Sequence, residues 1–122
     1  MVWRRAAAPG EAVVVKHFPN AFRETGLQAA LRDAGASQLV VAGMMTHMCV
    51  DTTVRAAADL GWPCQIAHDA CATRDLQFGG AQVAAADVQL AFLAALNGAF
   101  AAVRPAVRYA LRVCRRSRSS ST

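Results

Sequence analysis

The sequence has no apolar run long enough to cross a bilayer. The longest, Leu90 to Val103, is interrupted by Asn97 and Gly98 and falls short of the roughly 20 apolar residues a span requires, which excludes a transmembrane protein. The start, Met1 to Gly10, carries Arg4 and Arg5 but no apolar segment of secretory length, so a cytoplasmic chain is expected. The four cysteines, Cys49, Cys64, Cys71 and Cys114, form no CxxC pair, and reduced thiols are the expectation. Acidic residues are absent beyond Arg104, whereas six arginines lie between residues 104 and 118. That leaves seven basic and eight acidic residues before them, so the overall charge of +5 belongs to the tail. What is abundant is alanine: 28 of 122 residues, giving positive mean hydropathy through many small side chains. The length fits one domain with a modest core, burying roughly 65% of the unfolded surface.

The patterning alternates between two periods. Ala12 to Lys16 is a β-branched run after the turn signal Pro9-Gly10, which predicts a strand. Thr25 and Gln28 have capping-box spacing, Leu27, Ala30, Leu31 and Ala34 share a helical face, and Gly35 is a natural residue to follow a helix. Gln38 to Gly43 reads as a second strand, apolar throughout like those of parallel sheets. A second helix is predicted from about Cys49 to Leu60, a third strand over Gln65 to His68, a third helix from Gly80 to Leu96 and a fourth strand over Ala99 to Val103. The order βαβαβαβ predicts an α/β fold with a Rossmann-like parallel sheet and helical crossovers. Four strands are fewer than open sheets of this kind commonly hold, which points to a fold truncated at its N-terminus. The expected organisation is a partial domain over 1–103 followed by a basic, Ser/Arg-rich, disordered tail over 104–122.

In such sheets the active crevice lies beyond the carboxyl ends of the strands. Lys16 closes the first predicted strand and Cys49 opens the helix after the second. A thiol at a helix N-terminus beside an ammonium ionises more readily and becomes a plausible nucleophile. Spacing alone leaves the alternatives open, since a free cysteine is also among the most buried residue types and a strand-end lysine is usually solvated.

Several blocks in order narrow this: Glu11 to Lys16, Asn20 to Phe22, Thr25 to Leu27, Leu39 to Val50, Thr53 to Ala56, and Asp69-Ala70. Together they resemble the isochorismatase-like cysteine hydrolases over about residues 9 to 103. The resemblance implies a hydrolase acting on an amide or related bond of a small molecule. By position, Cys49 corresponds to the nucleophile and Lys16 to the catalytic lysine. It further implies a cis peptide between Met44 and Met45, with the amides of Met45 and Cys49 as an oxyanion hole. Phe22, Thr46 and His47 are pocket candidates, as is Trp62, although aromatics in so alanine-rich a chain are more often core.

The family's aspartate lies on a first strand upstream of the lysine, and the chain has no counterpart; Glu11 stands in the wrong register to replace it. An inactive, truncated remnant is therefore the alternative reading. The loss of strands central to the sheet would also expose apolar edges, which predicts a homo-oligomer. His17, His47 and His68 do not make a metal site by this comparison, and no cofactor is expected. Asp69 reads as a cap for the following turn. The arginines of the tail stand at helical spacing, yet no nucleic-acid-binding motif accompanies them and no such partner is expected.

Overall fold

The computed structural model describes residues 9–109. The elements follow in the order α1 (Leu27–Asp33), β1 (Leu39–Met44), a π-helical turn (Thr46–Val50), α2 (Asp51–Asp59), β2 (Cys64–Ala72), β3 (Leu76–Phe78), β4 (Ala81–Val83), α3 (Ala85–Leu96) and β5 (Ala102–Arg104). Strands β1, β2 and β5 form a parallel sheet in that order, with β2 in the centre, and α2 and α3 are the crossovers. This is the α/β architecture with helical crossovers that the patterning predicts. Of the predicted tail, residues 110–122 lie outside the described residues; against the expectation, Arg104 belongs to β5 and residues 107–109 form a helical turn.

The pleat decides which side chains reach the core. Leu39 and Val41 stand opposite Cys64 and Ile66, and Val103 stands opposite Ile66 on the other side. This face packs against Val50 from the π turn, Val54 and Ala57 from α2, and Leu93 and Leu96 from α3. Val54, Ala57, Ile66 and Leu96 have no solvent exposure at all. The opposite face of β1 is open, with Val40 and Met44 about half exposed. Helices α1 and α2 end in the same way. At α1, Gly35 takes φ +66° and the amides of Gly35 and Ala36 donate back to Arg32 O and Leu31 O; at α2, Gly61 takes φ +87° and Gly61 and Trp62 donate to Ala58 O and Ala57 O. Both are Schellman caps, and only glycine adopts their left-handed backbone without cost.

Five local expectations need correction. Ala12 to Lys16 forms no strand; Val13 and Val15 are each 72% exposed. A β-branched run becomes a strand only when a neighbour completes its ladder, and none of the described strands does so. Thr25 caps one residue early: its hydroxyl accepts from Leu27 N at 3.3 Å and donates to Ala21 O, so no capping box forms. The predicted third helix begins five residues late, because Gln77 to Gln82 belong to an antiparallel hairpin, β3–β4, turned by Gly79 and Gly80 at φ +58° and +79°. Strand β5 also starts late, since Ala99 to Ala101 close the end of α3, with Phe100 N and Ala101 N both donating to Leu96 O. Finally, Asp69 is a cap, though for a distant turn: its Oδ1 accepts from Ala106 N at 2.7 Å.

Candidate active site

At the carboxyl end of β1 the chain turns sharply through a cis peptide between Met44 and Met45, where the sequence resemblance put one. It then enters the π turn, whose Val50 N donates to Met45 O five residues back. Cys49 therefore sits inside this turn, two residues before α2 begins, rather than at the first position of an α-helix. Lys16 reaches it from the extended segment 9–16: Lys16 Nζ donates to Cys49 Sγ at 3.1 Å and to Phe18 O at 3.0 Å. Residues 33 apart in sequence are thus brought into direct contact.

The pair borders a cavity of about 200 Å³ lined by Lys16, Ala21, residues 41–44, Cys49, Val50 and Thr53. Four consecutive residues of β1 line it although alternate side chains point to opposite faces, so it is the strand's free edge that forms the wall. Among the described residues, those lining the cavity include no carboxylate. The nearest acid in sequence, Asp51, is engaged by Arg55 Nε at 3.0 Å, and Arg55 in turn lies over the Phe100 ring.

Phe22, Thr46 and His47 are not among the lining residues. Phe22 packs against the hydrophobic core. His47 Nδ1 lies 2.7 Å from Thr73 Oγ1, and its ring meets Phe92 edge-on. Thr46 is fully buried; its hydroxyl donates to Gln89 Oε1 at 2.6 Å, with Ala72 O 3.2 Å away as a second acceptor. Gln89 Nε2 donates to His68 O and Cys71 O at 3.3 and 3.4 Å, which fixes the orientation of its amide and leaves the oxygen for Thr46. Trp62 is likewise packed against the core.

The other thiols differ in environment. Burial pushes the Cys64 thiol above the ordinary range. Burial does the same to Cys71, opposed by a hydrogen bond from the Gly43 backbone and reinforced by the Asp69 charge. Among the described residues no group of three or more His, Cys, Asp or Glu side chains is placed to hold a metal ion. No helix among them is long and apolar enough to cross a membrane.

Residues 3–106 match the isochorismatase domain family. The chain belongs to the isochorismatase family. It is 51% identical to the isochorismatase-family protein YddQ of Bacillus subtilis over 94 residues, covering 77% of this chain and 52% of that one. The crystal structure of a putative isochorismatase hydrolase from Oleispira antarctica superposes with a TM-score of 0.82 at 54% identity, covering 85% of this chain and 55% of that one. A cysteine hydrolase from Pseudomonas syringae pv. phaseolicola superposes with a TM-score of 0.84 at 28% identity, covering 88% and 51%. This isochorismatase-family chain thus spans about half the length of the relatives it matches.

Two residues, one lining the cavity and one holding the turn behind it, escape a reading of the sequence for chemistry. Thr53 stands one helical turn after Cys49, and its spacing of four is the signal that both share a face. Gln89 is a lone amide in the apolar stretch Val88 to Leu96, a position where a polar side chain must find buried partners.

Proposed function

We propose that the site is that of a cysteine hydrolase acting on an amide or related bond of a small molecule, with Cys49 as nucleophile. The observation that supports this reading is the 3.1 Å contact from Lys16 Nζ to Cys49 Sγ at the edge of a cavity. An ammonium at that distance stabilises negative charge on the sulfur. The thiolate adds to the carbonyl carbon, and the amides of Met45 and Cys49 receive the developing oxyanion. Collapse expels the amine with a proton and leaves a thioester on Cys49, which water hydrolyses to the acid and free thiol. The family resemblance supplies the assignment of these roles, and the name of the Pseudomonas syringae relative agrees with it.

The step that lacks a residue is removal of the thiol proton, because the cavity lining has no carboxylate among the described residues. Groups that act as a unit are strongly non-additive, so a centre without its base retains little turnover. This favours the second reading, a chain of 122 residues that is close to inert by itself while keeping a reactive Cys49. Alkylation by iodoacetamide, resolved by cysteine, together with hydrolysis of simple amides tests both. Cys49 is expected to react faster than Cys64 or Cys71. Equal rates remove the activated nucleophile, and robust turnover that disappears in Cys49→Ala removes the inert reading. The same proposal has the domain end near residue 103, operates in the cytoplasm without a cofactor, and includes self-association through the open edge of β1.

A further inference from the structure

Lys16 lies on a segment with no regular structure, yet its ammonium is held against Cys49, so something must fix that segment. Within the loop, Arg23 N donates to Asn20 O, Phe22 N donates to Asn20 Oδ1, and the Arg23 guanidinium lies 3.7 Å from the centre of the Phe18 ring. These contacts shape the loop without attaching it to the rest of the molecule. Phe22 packs the far end of the loop against the hydrophobic core, and the hydrogen-bonded attachment comes from α2. Thr53 Oγ1 donates to Pro19 O at 3.1 Å and accepts from Ala21 N at 3.0 Å, using one hydroxyl to satisfy two backbone groups over 30 positions away.

We infer that Thr53 is the positioning residue for Lys16: its hydroxyl pins the 16–22 loop to the same helical face that carries Cys49 and thereby sets the lysine-to-sulfur distance. The inference rests on the proposed role of Lys16 and deepens it. Cys49 and Thr53 are four residues apart on one continuous helical stretch, so nucleophile and pin move together, and the lysine follows through the loop. Ala21, whose amide the hydroxyl holds, also lines the cavity, so the pin shapes one wall as well. Valine fills the same volume as threonine and keeps the β-branch, but offers neither donor nor acceptor. Thr53 lines the cavity but makes no hydrogen bond to Cys49; it acts through Lys16.

The test measures the alkylation rate of Cys49 by iodoacetamide at a fixed neutral pH in the full chain, with peptide mapping to resolve each cysteine and circular dichroism to verify folding. Four variants are compared: Lys16→Met, Thr53→Val, Thr53→Ser and the double variant Lys16→Met/Thr53→Val. Moving the ammonium away from the sulfur slows alkylation, though less than in proportion to the lost charge stabilisation, because nucleophilicity changes in the opposite sense. Thr53→Val is expected to slow Cys49 roughly threefold, Thr53→Ser to restore most of the rate, and Thr53→Val to add nothing on the Lys16→Met background. If Thr53→Val does not fold, Thr53→Ala removes the same hydroxyl without adding a methyl and is read identically. An unchanged rate in Thr53→Val alongside a slow Lys16→Met overturns the positioning role while leaving Lys16 intact. Equal slowing by Thr53→Val on both backgrounds also overturns it, placing the effect on the cysteine turn itself. An unchanged rate in Lys16→Met overturns the reading of Lys16, and Thr53 falls with it.

Discussion

The Gln89 amide supplies the nearer of two acceptors for the buried Thr46 hydroxyl in the turn that carries Cys49. Replacing it with leucine removes the 2.6 Å acceptor of Thr46 and the donor to two carbonyls of β2. Thr46 keeps Ala72 O as an acceptor, but the two carbonyls lose their side-chain donor; a buried group left so costs about 1–3 kcal/mol, and Gln89→Leu is expected to lower the urea midpoint accordingly. Gln89→Glu is expected to cost at least as much at neutral pH, since a carboxylate has no proton for those carbonyls. Cys64 supplies a pH dependence of its own. The residue is 7% exposed and burial raises its pKa, so the folded chain holds the proton when the unfolded chain releases it. The unfolded state then binds fewer protons, and stability falls with rising pH through the thiol range. The loss in urea midpoint between about pH 8 and about pH 10 is expected to shrink in Cys64→Ala; an equal loss would assign the effect to other groups. At this scale Cys49 and Lys16 were legible because resemblance fixes them by position. Thr53 and Gln89 were not, because their partners, backbone groups and the Thr46 hydroxyl, come from distant segments that no local pattern encodes.

Elements were legible where their own residues decide them. The Schellman ends of α1 and α2 follow from Gly35 and Gly61, and β1 follows from an apolar run that has β2 beside it. Elements that depend on a neighbour were misread. Ala12 to Lys16 has the composition of a strand without the ladder, and the start of α3 was drawn too early because Val83, Ala86 and Leu90 continue a helical period into the hairpin. The Gly79-Gly80 pair between Leu76-Gln-Phe and Ala-Gln-Val was the competing signal, and it prevails because a primed turn matches the twist of its strands. The hairpin in turn serves α3. Asp75, at its base, accepts from Ala85 N at 2.8 Å, while Ala84, the residue before the helix, offers no side-chain cap. A carboxylate here satisfies a free amide and faces the positive helix end. Asp75→Ala is therefore expected to destabilise the fold by about 1 kcal/mol, with Asp75→Asn recovering most of it. Thermal melts followed by helix ellipticity measure both, and indistinguishable melts for Asp75→Ala and the parent would remove the cap.

At the scale of the whole molecule, the parallel sheet of the described residues packs its core against one face and leaves the other face open at β1. Strands buried on both sides read as continuous apolar runs, and Gln38 to Gly43 is such a run, yet the structure leaves Val40 48% and Met44 55% exposed at the edge of the sheet. The core against the other face is thin: its largest fully buried apolar side chains are Ile66, Leu96 and Val54, and the remainder is mostly valine and alanine. A chain with so little buried apolar volume gains proportionately more from covering its exposed edge than one with a full core, and an unpaired apolar edge is a template for another strand. The proposed homo-oligomer therefore draws on the same feature that makes the fold marginal. Sedimentation velocity over a concentration series is expected to show a weight-average mass that rises above that of the 12.9 kDa chain. Val40→Lys puts a charge on the open face without touching Cys49, Lys16 or the residues lining their cavity, and is expected to return the mass to that of the single chain. A single-chain mass at every concentration in the parent protein would show that the edge of β1 stays uncovered, and would leave self-association without a basis.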